Sequence, residues 1–116
     1  MNTFIGEHYS RENYNCAGFV AKWYKEKLNI EIPIVNEFGL SFMLWMKRNF
    51  VQVDKPVENC LIRMTTPTGE NHIGVWHDHG VIHNFKHVGR HGAVCKWKLL
   101  SVKVYYREVS YWVWSE

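Results

Sequence analysis

The sequence predicts an α+β domain, with N-terminal helices packed on an antiparallel β-sheet. Three observations predict it. Apolar residues recur at helical spacing in the first half of the chain, β-rich runs separated by turn signals fill the second half, and no internal repeat or low-complexity linker divides the two. At 116 residues the chain is sized for one domain covering residues 1–116, because a second unit would have too little surface to bury. A hydrophobic content of 47% and an aromatic content of 16%, including six Trp, point to a bulky packed core rather than disorder.

The first helix is expected to begin at about Cys16, with Asn15 as its cap and CAGFVAKWYKEKL as its body. Phe19, Val20 and Trp23 fall on one helical face, and Cys16 starts the helix near that face. The helix is expected to stop before Ile32-Pro33, since proline restricts its predecessor and cannot continue the ladder. A second helix is expected over Gly39 to Lys47, apolar on several sides and therefore buried between layers or lining a groove.

Strand signals follow. Leu61-Ile62-Arg63-Met64 reads as a short strand closed by the Thr-Pro-Thr-Gly turn at 66–69. Residues 72–76 and 81–85 read as a hairpin turning through His77-Asp78-His79-Gly80, with Gly supplying a left-handed position. A Gly- and His-containing loop at 86–92 precedes further strands near 93–97, 101–106 and 109–114.

A net charge of +3 with scattered Lys and Arg marks no nucleic-acid footprint, so no nucleic-acid partner is expected. Residues 1–14 contain no apolar run that could serve as a signal peptide or membrane anchor, which predicts cytoplasmic synthesis. A substrate beyond the membrane would then require delivery by a virion, a secretion machine or lysis. Cys16, Cys60 and Cys95 share no CxxC spacing, which disfavours a disulfide scaffold and a thiolate zinc site.

Cys16 is the candidate nucleophile, because unpaired donors and the positive end of a helix stabilise a thiolate in its first turn. The small Ala17-Gly18 pair lets a substrate chain approach closely. A nucleophilic thiol needs a base, and the base needs a group that holds its ring. If the 77–80 segment turns the chain, the hairpin is expected to bring His72 and His83 close enough for one imidazole to orient the other.

The stretch YNCAGFVAKWYKEKLNIEIP, residues 14–33, resembles the nucleophile segment of NlpC/P60 cysteine peptidases, in the version found in phage tail-assembly and cell-wall enzymes. HIGVWHDHGVIHNF, residues 72–85, resembles the family's His-Val-Gly-Ile-Tyr pattern with its second His, and the resemblance spans roughly residues 3–96. It implies a papain-like fold, Cys16 as nucleophile, His72 as general base, His83 as the residue orienting it, and Tyr9 as an added hydroxyl near the thiol. It further implies hydrolysis of an amide bond in peptidoglycan stem peptides, no cofactor, and a phage tail or secretion machine as delivery partner to the periplasm or cell wall. Three features depart from the family pattern: Asn15 before the cysteine, Ala17 after it, and Asn59-Cys60 where Gly-Asp is usual.

Two other function classes compete. A catalytically silent phage tail or assembly protein could keep the fold and use the aromatic residues around Trp45, Trp112 and Trp114 as partner surfaces. The tract His72, His77, His79, His83, His87 and His91 suggests metal binding, although it lacks an HExxH or cysteine-pair framework, so no metal ligand is assigned. Acyl transfer to lipid is disfavoured, since relatives with that activity place the histidine motif before the cysteine.

Overall fold

The computed structural model describes residues 5, 16–32, 40–85 and 93–115. Two helices, α1 (Cys16–Leu28) and α2 (Leu40–Asn49), precede strands β1 (Phe50–Val53), β2 (Leu61–Thr65), β3 (Asn71–His77), β4 (Gly80–Phe85) and β5 (Ala93–Trp97). A third helix, α3 (Leu99–Tyr105), and β6 (Glu108–Trp114) complete the described elements. The strands form one antiparallel sheet in the order β1-β6-β2-β3-β4-β5. The α+β class and the helix-then-sheet order agree with the sequence. The sheet is not a simple meander, because β6 returns to pair with both β1 and β2.

The pleat sorts side chains by parity, since successive residues of a strand point to opposite faces. Leu61, Ile73, Val75, Ile82, Val94 and Trp112 meet Phe19, Val20, Trp23 and Tyr24 of α1 and Trp45 and Met46 of α2 in one core. Their neighbours Ile62, Met64, Val81 and Tyr111 form a second core with Val102 and Tyr106 on the other side of the sheet. Burying a side chain such as Phe19 or Val20 contributes roughly 1.5–3 kcal/mol, so α1 is held mainly by its apolar stripe.

The helix α1 ends earlier than the proline would require. Asn29 adopts a left-handed φ of 55°, with its N–H donating to the Lys25 carbonyl and that of Ile30 to the Tyr24 carbonyl. The Asn29 to Lys25 bond is that of an αL closure, in which Asn takes the position usually held by Gly. Asn59 repeats the device before β2, with φ 67°. Its Oδ1 accepts from Trp23 Nε1 at 3.0 Å and its carbonyl accepts from the Tyr24 hydroxyl at 2.6 Å. One left-handed residue thus ties α1 to the start of the sheet.

Two expectations need correction. The segment expected as a strand at 101–106 lies largely in α3. Its Val-Lys-Val-Tyr alternation imitates a strand, but Leu99, Val102 and Tyr106 lie three to four residues apart and cover the second face of the sheet. In the β3–β4 hairpin the left-handed positions are Asp78 (φ 50°) and His79 (φ 61°), not Gly80. Both central residues at positive φ give the turn whose twist matches the strands. Gly80 is needed for space, because a Cβ there would lie 2.5 Å from Lys96 Cε and 3.2 Å from the Trp97 carbonyl. Asn15 and the loop at 86–92 lie outside the described residues.

Asn59→Ala should lose roughly 2 kcal/mol of stability in urea unfolding, through the Trp23 bond and the left-handed backbone, while Asn59→Gly should recover the backbone share. Equal losses in the two variants would show that φ contributes nothing.

Candidate functional site

The hairpin register sets His72 and His83 on the same face. His83 stands opposite Gly74 across β3–β4, and His72 is the even-numbered neighbour of Gly74 on that face. The missing side chain of Gly74 makes the room, since a Cβ would sit 2.9 Å from His83 Cβ and 2.7 Å from the Ile82 carbonyl. The two imidazoles meet in an N–H···N hydrogen bond of 2.8 Å between His72 Nε2 and His83 Nδ1.

Aromatic rings enclose the pair. Tyr106 stacks on His72 at 5.6 Å with planes 12° apart, and Trp97 presents its ring edge-on to His83 at 4.7 Å. His83 is fully buried and His72 half-buried. Burial disfavours the imidazolium form, lowering the His72 pKa from 6.5 to about 4, and burial followed by repulsion from His72 lowers that of His83 well below its ordinary value. At neutral pH both rings are therefore neutral, and the pair can accept a proton only when something stabilises the charge.

Sequence reasoning missed Tyr106 and Trp97. Their spacing on α3 and its approach was masked by the strand-like alternation of 101–106, so an aromatic wall for the imidazoles was not anticipated. The hairpin reading placed His77 in the turn, whereas it ends β3. His77 packs against Trp23 at 5.1 Å, and its Nδ1 pairs with Glu58. Trp45 and Trp112, which the silent-protein alternative would use as partner surfaces, are buried core residues.

Cys16 opens α1, but its side chain lies outside the described part of the structure, and Tyr9 lies outside the described residues. The packing of α1 constrains what a thiol there can reach. α1 sits on the face lined by Ile73, Val75 and Ile82, whereas His72 and His83 project to the face covered by α3. α1 and the two imidazoles thus lie on opposite faces of the sheet. His87 and His91 lie outside the described residues, and among the described residues no three His, Cys, Asp or Glu side chains converge as metal ligands. No helix among them is long and apolar enough to cross a membrane.

No family model matches the chain, and no curated protein matches it.

The buried imidazoles predict an acid-labile fold. Their folded pKa values lie below the unfolded value, so the unfolded state gains protons first and stability falls as pH drops from 6.5 towards 4. The loss assignable to His72 approaches roughly 3 kcal/mol at the acid end of this window. Urea midpoints measured between pH 7 and 4.5 should fall, and His72→Phe should flatten the slope; a His72 NMR titration centred near 6.5 would contradict the assignment.

Proposed function

We propose that the protein is a papain-like cysteine peptidase or amidase of the NlpC/P60 kind, acting on amide bonds of peptidoglycan stem peptides. The observation that carries this reading is the His72–His83 hydrogen bond, which supplies a base and a ring that orients it. With Nε2 of His72 donating to Nδ1 of His83, Nδ1 of His72 takes the proton-accepting role. Asn59 adds support. Its left-handed backbone does the work of the glycine that the family carries at the corresponding place.

In the proposed reaction His72 Nδ1 takes the proton of the Cys16 thiol as sulfur attacks the substrate carbonyl. The His72 imidazolium is stabilised by its hydrogen bond to His83, which offsets the cost of charging a buried ring. The C–N bond breaks, the amine leaves with the proton returned by His72, and a thioester remains on Cys16. Water, deprotonated by His72, attacks the thioester and releases the acid and the free thiol. The backbone N–H of Cys16 is the proposed donor to the oxyanion. Carriage by a phage tail or a secretion machine to the cell wall belongs to the same proposal.

A second reading is a binding protein that keeps the fold without hydrolysing its ligand. It is favoured by the placement of α1 and the imidazole pair on opposite faces of the sheet.

Alkylation of the native protein by iodoacetamide, followed by intact mass and peptide mapping, separates the two. Buried Cys60 and half-buried Cys95 are internal references. The peptidase reading expects Cys16 to react fastest and His72→Ala to lower peptidoglycan-fragment hydrolysis by roughly 100-fold or more. Cys16 labelling that is insensitive to His72, with no hydrolysis, would transfer the assignment to the binding protein.

A further inference from the structure

The most exposed apolar residues on the described surface lie together on α3. Leu100 and Val104 are 74% and 79% exposed and stand one helical turn apart, with Tyr105 beside them at 43%. With Trp97 they line an open depression of about 780 Å³, whose rim carries Lys96, Lys98 and Ser101. Burial of Val102 and Tyr106 against the sheet fixes α3, so the outward stripe is held rigidly.

The segment that forms the depression carries positive charge only, and the Asp78 carboxylate reaches Lys96 from the β3–β4 turn. Residues 93–107 contain Lys96, Lys98, Lys103 and Arg107 and no carboxylate, in a chain whose net charge is +3. Lys96 is engaged by the Asp78 carbonyl at 2.9 Å and its carboxylate at 3.4 Å. Lys98 and Lys103 are exposed beside the apolar stripe and supply the field that an anionic partner would meet. The lining of this shallow, open depression is mostly apolar, which suits the side chain of a bound peptide.

We propose that this face docks an acidic peptide segment of a partner protein, seating one apolar side chain between Trp97, Leu100 and Val104 with flanking carboxylates on Lys98 and Lys103. The proposal does not depend on the catalytic reading. Apolar burial would provide most of the affinity, and the lysines would provide orientation and association rate.

Selection of a displayed random peptide library on the full chain tests it. The expected result is enrichment of peptides in which a large apolar residue is flanked by Asp or Glu, with binding that weakens as salt rises. Leu100→Ser with Val104→Ser should weaken the selected peptides roughly tenfold or more, and Lys98→Glu with Lys103→Glu should do likewise. These positions are exposed, and thermal melts would verify that the variants stay folded. Enriched peptides without carboxylates, no enrichment, or binding indifferent to both pairs of substitutions would overturn the proposal. So would absence of peptide binding together with Leu100-dependent association with phosphatidylglycerol vesicles, which would make the face a lipid-binding surface.

Discussion

The alternation of side chains along β2, β3 and β4 is the constraint on which everything else rests. A one-residue slip of β3 would carry Ile73 and Val75 out of the α1 core and put His72 in their place, inverting both layers at once. The register is secured from several directions. Asn59 donates its N–H to the Trp76 carbonyl and accepts from the side chains of Trp23 and Tyr24, so the helix and the hairpin are indexed to the same residue. The tight Asp78-His79 turn fixes the pairing from the other end.

Much of this was legible because it is local. The α1 stripe, the β3–β4 hairpin and the closeness of His72 and His83 all follow from spacings of a few residues. What escaped was set by tertiary context. The 99–105 segment alternates as a strand does, and only the second, uncovered apolar face of the sheet makes the Leu99, Val102 and Tyr106 spacing the one that is used. The insertion of β6 between β1 and β2 is a long-range pairing that no short window contains. The same holds for the face on which each histidine lies: parity relates His72 to Ile73, but deciding which parity meets α1 requires the assembled layers.

The chemistry of the pair is that of two neutral rings held in an apolar box. Burial and the Tyr106 and Trp97 walls withdraw solvent stabilisation from either imidazolium, so charge on the pair must be matched by a nearby anion or shared through the bond between the rings. This environment disfavours a permanently charged imidazole. It also explains why the sheet carries Gly at 74, where a side chain would displace the second ring.

The unequal burial of the two histidines gives the pair a direction. His83 is sealed beneath Trp97, while His72 reaches partial exposure at the start of β3. A proton entering from the His72 side would meet one ring before the other, and whatever is delivered to His83 would pass along the shared hydrogen bond. Of the two rings, His72 is the one that meets solvent, and His83 is linked to it through the hydrogen bond they share.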